Sequence, residues 1–519
     1  MGIQTALISV SDKTSIVSFA KELSKLGVKL IATGGTFNSL KEAQINVQEV
    51  SDYTGFPELI DGRVKTLHPK IYAGILARRG QDDDTLESLQ IPFIDLVCVN
   101  LYPFSETLDT TDDNLQIIEN IDVGGPTLIR AAAKNHAHVG IVTEPSDYRF
   151  VIEAIKKGGL TSDLRHYLSC KAFEKIALYD LCIANYLKKK NTGFFAEKDE
   201  FFPENFSLTY QKMSDLRYGE NPHQKAAWYR PLKFKNGGFS SYKKLAGKKL
   251  SYNNISDGHS ALEFLKNLSK TACVIIKHST PCGVSISKST LDAYKRAYNS
   301  DPESAFGGVI AFNEAINQET AEHIINTQFA ELIIAPEFEE HAINAFSKNK
   351  NIRLIKYNPN QNENHFFNFK KIGNELLVQE FDNVDPMAEE WKLVTQNQPS
   401  VSELKDLHFS WEIVKKLRSN AIVVARSETS VGISSGQTSR VFAVRHATSK
   451  LTRNQNKTDT PVLASDGFFP FPDNIEIAAK KGISAIVQPG GSINDKKIIA
   501  EANKAGIAMI FTGIRHFAH

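Results

Sequence analysis

The sequence predicts an α/β protein whose first part is built around a parallel sheet. Apolar runs from Ala6 to Val10 and from Val28 to Ala32 have the length and composition of buried strands. Between them, apolar residues recur at helical spacing from Ile16 to Leu26 and stop at Gly27. A strand, a helix and a second strand in this order form the unit from which parallel sheets are made.

The same alternation continues to a boundary that we place near residue 197. Leu96 to Leu101 and Val139 to Thr143 are strand-like, and good helix formers fill Leu128 to Lys134 between them. A helix over Ala172 to Leu187 then gives way to a charged stretch without periodicity. We therefore predict domains of residues 1–197 and 198–519.

The second part is also predicted to be α/β. Ala272 to Ile276 and Gly308 to Phe312 are strand-like and are mixed with helical patterns. An Asn-rich stretch from Tyr357 to Asn374 is expected to be a surface loop or insertion, and it could divide two lobes. No internal repeat of fixed period is visible.

Composition excludes several classes of function. With 61 basic and 59 acidic residues the formal net charge is +2, so no global field is present to hold a nucleic acid or an anionic membrane. Five cysteines form no Cys-x-x-Cys pair, which predicts reduced intracellular thiols and no structural zinc. Because no signal peptide or membrane span is recognisable, we expect a cytoplasmic protein.

Two turns after the first strands are candidate phosphate sites. The stretches from Ser9 to Thr14 and from Thr33 to Thr36 are rich in hydroxyl groups and glycine, and both follow strands. Helix N-terminal amides and hydroxyl groups at one sheet edge can surround a phosphate. Either turn alone could merely cap a helix, with Ser11 or Asp12 as the cap. Since neither nucleotide-binding glycine motif is present, a monophosphate is the better fit.

Three further stretches concentrate polar residues. Arg63 to Pro69 places two cations and a hydroxyl in a loop, although an Arg-x-Lys pair is often only a solvated surface. Arg217 to Gln224 has neither strand nor helix periodicity, which a simple turn would also explain. Lys277-His278 follows a buried strand and precedes Pro281-Cys282-Gly283, so we predict two titratable groups on a constrained turn.

Taken together and in order, these stretches resemble the bifunctional AICAR transformylase/IMP cyclohydrolase family. In the first half, the resemblance also involves Asn100 to Phe104, Asp122 to Pro126 and Arg130 to His136. In the second half, it involves Leu250 to Asn254, Asp301 to Gly307, Arg418 to Ile422, Ser434 to Arg440, Ser465 to Phe471 and Arg515 to His519. It covers nearly all of residues 5–140 and essentially all of the second part.

For the first domain, the resemblance implies a methylglyoxal-synthase-like fold that closes formyl-AICAR to inosine monophosphate. The implied catalytic residues are Lys65, Tyr102, Asp122 and Lys134. The implied nucleotide-holding residues are Ser11, Lys13, Thr14, Gly35, Thr36, Arg63 and Thr66.

For the second domain, the resemblance implies two cytidine-deaminase-like lobes that transfer a formyl group from 10-formyltetrahydrofolate to AICAR without a catalytic metal. A zinc deaminase is disfavoured because neither a His-x-Glu nor a Pro-Cys-x-x-Cys signature is present. The implied catalytic residues are Lys277, His278 and Asn254. The residues implied to contact AICAR or folate are Arg217, Tyr218, Asn420, Arg440, Phe471, Phe517 and His519.

The family also implies a homodimer whose transformylase sites take residues from both chains. Two departures from the family pattern are Cys282, in the predicted Pro-x-Gly turn, and Glu331, where some members have Asp. Cys282 could make the site sensitive to oxidants or could simply be a small packed side chain.

Two alternatives stay open at this point. The first domain could be a regulatory module that only senses a phosphorylated ligand. Such a module needs a phosphate site but no catalytic lysines at the positions of Lys65 and Lys134. The first domain could also be a methylglyoxal-synthase-like lyase, which leaves residues 200–519 unexplained.

Overall fold

The computed structural model describes residues 2–60, 62–190, 202–232, 242–359, 367–384, 390–451 and 460–519. The chain forms two compact units, Met1–Ser207 and Leu208–His519. The predicted domain boundary near residue 197 lies outside the described residues. Each unit is described separately.

The first unit contains the predicted parallel sheet. Its strands are β1 (Thr5–Ser9), β2 (Lys29–Ala32), β3 (Gln48–Glu49), β4 (Leu96–Val99) and β5 (Gly140–Val142), in the order β3-β2-β1-β4-β5. Every neighbouring pair is parallel. The predicted strands and the helix after β1 are therefore confirmed, with ends shifted by one or two residues.

Helices cover this sheet and bury an apolar core. They are α1 (Ile16–Lys25), α2 (Gly34–Glu42), α3 (Val50–Thr54), α4 (Pro69–Leu76), α5 (Asp83–Ser88), α6 (Phe104–Thr110), α7 (Asn114–Glu119), α8 (Gly124–Lys134), α9 (Tyr148–Lys156) and α10 (Ser162–Lys190). Side chains from both faces of the strands, including Leu7, Ile8 and Val97, are fully buried in this core. A parallel sheet covered on both faces needs such continuous apolar strands.

The second unit contains two six-stranded mixed sheets of identical topology. The first consists of β8 (Lys243–Ala246), β9 (Ala272–Lys277), β10 (Thr280–Ile286), β11 (Val309–Phe312), β12 (Leu332–Ala335) and β13 (Arg353–Lys356). The second consists of β16 (Lys392–Leu393), β17 (Ile422–Ala425), β18 (Ser430–Ser434), β19 (Val462–Ser465), β20 (Ala485–Gln488) and β21 (Ala508–Phe511).

Their strand orders, β10-β9-β11-β12-β13-β8 and β18-β17-β19-β20-β21-β16, correspond strand for strand. The parallel and antiparallel pairs also correspond. The fold is thus duplicated without a repeat of fixed period in the sequence, because equal strand pairing requires only equal patterns of buried residues. Their description as cytidine-deaminase-like lobes stays a prediction.

Helices form layers around these two sheets. They are α11 (Tyr252–Leu265), α12 (Thr290–Ser300), α13 (Pro302–Ala305), α14 (Gln318–Thr327), α15 (Glu340–Ser347), α16 (Val401–Val414), α17 (Arg440–Ala447), α18 (Asp473–Lys480) and α19 (Asp495–Ala505). Apolar residues of α11 and α16 share one core with side chains of both sheets, such as Val274 and Val423. The opposite face of each sheet has its own core against the other helices.

Two hairpins complete the second unit. One pairs β6 (Tyr210–Leu216) with β7 (Ala226–Pro231), and its loop is the predicted polar stretch Arg217 to Gln224. The other pairs β14 (Phe367–Ile372) with β15 (Glu375–Glu380). The stretch predicted as a surface loop or insertion over Tyr357 to Asn374 is therefore a largely exposed hairpin and not a loop from Phe367 onward, and residues 360–366 lie outside the described residues. Gly373, with φ of 58°, and Asn374 form a two-residue turn that the sequence analysis missed.

Glycine lets one helix approach each sheet closely. A Cβ added at Gly283 of β10 would lie 1.9 Å from the carbonyl oxygen of Ala297 in α12. At the corresponding Gly432 of β18, it would lie 1.8 Å from the carbonyl oxygen of Ala447 in α17. Because backbone cannot move aside as a flexible side chain can, any larger residue must separate helix from strand.

Gly283→Ala and Gly432→Ala are each expected to reduce the free energy of unfolding by about 1–3 kcal/mol through overpacking. Urea denaturation of the full chain measures the loss. Gly2→Ala is the matched control, because no heavy atom lies within 4 Å of a Cβ added there. Equal midpoints for all three variants would contradict the close approach.

Candidate functional site

In the first unit, the two predicted phosphate turns lie side by side. The Oγ atoms of Ser9 and Thr33 are 2.9 Å apart. The Thr36 hydroxyl accepts the Val10 amide and donates to the Val10 carbonyl, each at 3.1 Å. Thr36 thus joins the two turns, and its own hydroxyl is committed to the backbone. Parallel pairing of β1 with β2 brings both turns to one sheet edge, as predicted.

The helices that begin at these turns have no side-chain caps. The N-cap residues Ser15 of α1 and Thr33 of α2 make no side-chain bond to their helices. Asp12 instead accepts the Thr14 amide at 2.9 Å. The alternative in which Ser11 or Asp12 caps the helix is therefore not what the structure shows. Uncapped helix starts at a hydroxyl-rich edge suit an anion.

A third strand supplies a residue that supports the first turn. Asn100 follows β4, and its side-chain oxygen accepts the amides of Ser11 and Asp12 at 2.6 and 3.0 Å. Its amide nitrogen donates to the Asp12 carbonyl at 2.8 Å. Sequence analysis used Asn100 only as part of a motif, although an amide directly after a strand beside this turn was a usable signal.

The loop before α4 carries the predicted cations over the same edge. Lys65 Nζ lies 3.9 Å from a Cβ added at Gly34. Thr66 is 3% exposed, and its Oγ1 lies 2.9 Å from a Cβ added at Gly124, the first residue of α8. Lys13 Nζ also lies at the second turn, 3.6 Å from a Cβ added at Gly35. Two ammonium groups therefore border the glycine turn.

Arg63 of this loop is engaged by an acidic residue. Its Nε donates to Glu119 Oε1 at 3.0 Å, and its Nη2 pairs with Glu119 Oε2. Both side chains are more than half exposed. A bound nucleotide would compete with Glu119 for this guanidinium, and Glu119 was missed by the sequence analysis.

Asp122 lies next to the start of α8, where the Lys65 charge acts on its carboxylate. Its Oδ1 accepts the Gly125 amide at 2.8 Å, and its carboxylate also accepts the Tyr102 amide. Burial raises the pKa of this carboxyl above its ordinary value of 3.8, while these amides and the Lys65 charge oppose the rise. A partly buried carboxylate beside an ammonium group is suited to proton chemistry.

The other two predicted cyclohydrolase residues are Tyr102 and Lys134, and only Tyr102 lies at Asp122. Tyr102 is 40% exposed, and its backbone contacts the Asp122 carboxylate. Lys134 is the last residue of the 11-residue helix that begins at Gly124, so the two ends are about 15 Å apart along the axis. Lys134 is therefore not grouped with Lys65 and Asp122 within this unit.

In the second unit, Lys277 and His278 lie at a two-residue hairpin turn. Lys277 pairs with Thr280 across the β9–β10 hairpin, so His278 and Ser279 form the turn, with φ values of 53° and 59°. Such a turn ordinarily favours Asn-Gly, and other residues in this conformation are strained. The strained turn leaves the His278 imidazole exposed at the end of a buried strand.

Helix α11 holds this turn and meets two more predicted stretches. Asp257 Oδ1 accepts the Ser279 amide at 2.8 Å. Asn253 donates to the Glu220 carbonyl, in the loop from Arg217 to Gln224, at 3.3 Å. Residues distant in sequence therefore converge at the first turns of α11. Asp257 was not identified from the sequence.

Asn254 is buried at this point and is 2% exposed. Its side-chain oxygen accepts the Ser251 amide at 3.1 Å, and its Nδ2 donates to Glu331 Oε2 at 2.8 Å. The catalytic role that the family resemblance implies for Asn254 stays a prediction. What the structure records is a capping box that fixes the start of α11.

Lys277 faces a short segment after α13. Its ammonium group donates to the Phe306 carbonyl, and its Nζ lies 3.2 Å from a Cβ added at Gly307. A cavity of about 270 Å³ is lined by Lys277 and His278 together with residues of both lobes, among them Asp301, His446 and Lys450.

The Pro-x-Gly turn predicted at Pro281 to Gly283 is wrong. These residues lie in β10, where the register shift between Pro281 and Gly283 leaves Cys282 as an additional bulge residue. The Cys282 thiol donates to the Ile275 carbonyl at 3.4 Å. Burial, followed by the Asp301 charge, raises the pKa of Cys282 to about 12, which favours the interpretation as a packed side chain.

The remaining predicted contacts form a group on the second lobe. Arg440 pairs with Asp466, and the two side chains are 5% and 0% exposed. Arg440 also donates to the Ala421 carbonyl at 3.1 Å, so it organises the strand next to Asn420. Asn420 Nδ2 donates to the Gln437 carbonyl at 2.8 Å. Both residues therefore have structural partners, and their ligand-binding roles stay predictions.

The C-terminal residues pack against this ion pair. The Phe517 ring lies 2.5 Å from a Cβ added at Gly467, and its centroid is 6.0 Å from that of His519. Phe471 is 59% exposed and Phe517 is 40% exposed, so both rings are accessible to a flat ligand. In the loop from Arg217 to Gln224, the Arg217 guanidinium lies 5.4 Å from the Tyr218 ring centroid.

Two absences concern only the described part of the chain. Its helices include none long and apolar enough to cross a membrane. Its His, Cys, Asp and Glu side chains include no group of three or more placed to hold a metal ion.

Comparison with protein families gives two matches. A family model described as AICARFT/IMPCHase bienzyme matches residues 132–450, and one described as MGS-like domain matches residues 15–127. The second match confirms the predicted fold class of the first unit, together with its parallel sheet.

Two solved structures are also similar to this chain. The crystal structure of ForH has 36% sequence identity, covers 36% of this chain and 100% of that chain, and has a TM-score of 0.33. Methylglyoxal synthase from Elizabethkingia anophelis NUHP1 has 16% identity, covers 29% of this chain and 77% of that chain, and has a TM-score of 0.17. With TM-scores this low, the family assignment depends on the two family models.

Cys282 is expected to resist alkylation because its thiol is protonated at neutral pH, whereas the exposed Cys170 is expected to react. Treatment of the native chain with iodoacetamide at pH 8, followed by peptide mass spectrometry, measures both rates. Denatured protein is the control, in which both cysteines should react. Equally fast labelling of Cys282 and Cys170 in the native chain would contradict the packed arrangement.

Proposed function

Because the chain belongs to the AICARFT/IMPCHase bienzyme family, a bifunctional architecture of purine biosynthesis, we propose that it catalyses the two reactions that complete inosine monophosphate. The first transfers the formyl group of 10-formyltetrahydrofolate to the 5-amino group of AICAR. The second closes formyl-AICAR to inosine monophosphate with loss of water. The observation that carries this proposal is that each compact unit groups its own proton-handling side chains, Lys65 with Asp122 and Lys277 with His278.

Ring closure is assigned to the first unit. The carboxamide nitrogen of formyl-AICAR attacks the formyl carbon of the same molecule, so holding these atoms close supplies much of the acceleration. The uncapped turns after β1 and β2 suit the nucleotide phosphate, with Lys13 beside them. Lys65 stabilises the growing oxyanion and protonates the departing oxygen, while Asp122 orients the amide and accepts the proton that its nitrogen loses.

Formyl transfer is assigned to the second unit. The AICAR amine is a poor nucleophile because its lone pair is drawn into the imidazole carboxamide. His278, exposed on its turn, takes the amine proton as the nitrogen attacks the formyl carbon. Lys277 stabilises the tetrahedral oxyanion and assists departure of the folate nitrogen. Arg217 and Tyr218 hold the nucleotide, while Phe471 and Phe517 offer exposed rings for the folate.

The proposal extends to the setting of the enzyme. We expect a cytoplasmic homodimer whose transformylase sites take residues from both chains, with no catalytic metal. The nearly balanced charge of +2 agrees with small-molecule substrates that are bound locally.

The decisive measurement supplies AICAR and 10-formyltetrahydrofolate to the purified chain and follows inosine monophosphate by absorbance. His278→Ala is expected to lower formyl transfer by about 10²–10⁴-fold, because the base is lost, and to leave cyclisation of added formyl-AICAR unchanged. Lys65→Met is expected to lower cyclisation of formyl-AICAR and to leave formyl transfer unchanged. The two variants serve as each other's controls. Loss of both activities in either variant would argue against separate sites, and no product from the wild-type chain would refute the proposal.

Acidification is expected to slow cyclisation at a pH above 3.8, the ordinary pKa of an aspartate. Burial raises the pKa of Asp122, so its carboxylate is protonated earlier as the pH falls and can no longer accept from the amide. The pH profile of kcat/KM with formyl-AICAR measures this limb. Asp122→Asn should remove the limb and lower the rate by about 10²-fold. An unchanged profile in that variant would exclude Asp122 as the titrating group.

A further inference from the structure

A tyrosine of the long helix α10 holds the backbone that carries Asp122. The Tyr179 hydroxyl accepts the Asp122 amide at 2.8 Å and donates to the Asn120 carbonyl at 3.3 Å. The residues between α7 and α8 are therefore bound from the side by one phenol. We infer that Tyr179 is a positioning residue for ring closure, which acts by fixing the place of Asp122.

Asp122 is constrained from two directions. Its backbone is held by Tyr179, and its carboxylate by the Gly125 amide at 2.8 Å. A Cβ added at Gly125 would lie 2.4 Å from Asp122 Oδ2, so this carboxylate packs directly against α8. Because side chain and backbone are fixed separately, release of the backbone is expected to move the carboxylate relative to Lys65.

Tyr179 is itself held by aromatic packing. Its ring lies 6.2 Å from that of Phe104 at 68°, an edge-to-face arrangement. Phe104 is 1% exposed and also contacts Tyr186 of α10 at 5.9 Å. Burial raises the pKa of Tyr179 from its ordinary value of 10 to about 12, so the hydroxyl that donates to Asn120 stays protonated at alkaline pH as well.

The helix that carries Tyr179, α10, lies outside the MGS-like match. The MGS-like match ends at residue 127, whereas α10 comprises Ser162–Lys190 and lies inside the bienzyme match. The support for Asp122 is therefore supplied by a helix outside the MGS-like region. Asn120, whose carbonyl Tyr179 binds, directly follows Glu119, the partner of Arg63 in the Lys65 loop.

This inference rests on the proposed cyclisation, and its test uses the full chain. Tyr179→Phe keeps the ring and removes only the hydroxyl. With formyl-AICAR as substrate, kcat is expected to fall about tenfold, with KM within about twofold, because a displaced group costs the transition state more than it costs binding. Formyl transfer by the same preparation should stay at the wild-type level, which reports that the second unit is folded, and an unchanged KM for formyl-AICAR reports that the first unit is folded.

Tyr167→Phe is the matched control, because Tyr167 lies on the same helix, is 53% exposed and faces Lys171. It should leave cyclisation unchanged. In the Asp122→Asn background, Tyr179→Phe should cause no further loss, since residues that act through one another are not additive.

Three results would overturn the inference: a kcat equal to that of the control, a rise in KM alone, or full multiplication of the two losses in the double variant. Absence of cyclisation by the wild-type chain would instead refute the proposed function, so the two failures can be told apart.

Discussion

Hydrogen bonding between neighbouring strands is the interaction on which both sites depend. In the first unit, β1 lies between β2 and β4, and all three strands run parallel. Their carboxyl ends therefore bring the turns at Ser11, Gly34 and Asn100 to a single edge. In the second unit, the β9–β10 pairing leaves only His278 and Ser279 to reverse the chain. The polar side chains of these turns lie close together because strand pairing fixes where each turn begins.

Polar contacts then hold these edges in place, and those of Thr36 and Arg440 are buried. The Thr36 hydroxyl binds the backbone of Val10, the Asp257 carboxylate binds the strained turn, and Arg440 binds Asp466 beneath the C-terminal residues. A buried charge that loses its partner costs more than the pair contributes, so such contacts are sensitive to substitution of one member. They explain why several residues expected to touch ligands also have structural partners.

The duplicated sheets show that fold and chemistry are separate properties. Lys277 ends β9 and is followed by the turn residues His278 and Ser279, and the corresponding residues after β17 are Arg426, Ser427 and Glu428. Ser427 and Glu428 also have positive φ values, of 53° and 52°. The backbone is repeated, whereas an imidazole is present in only one of these two turns. One lobe is therefore the candidate for proton transfer, and the other shares the same architecture.

The sequence by itself determined strands β1, β2, β4 and β5 and helices α1 and α8 of the first unit, part of α10, the loop at Arg217 to Gln224 and the family. Apolar periodicity and short motifs are local properties, so they are visible without a structure. Tertiary structure decided which residues meet: it separated Lys134 from Asp122, moved Cys282 from a turn into a strand and brought Tyr179 to Asp122. It also revealed the β14–β15 hairpin and the duplicated sheets. Contacts between residues distant in the chain depend on packing and strand register, and no local pattern records them.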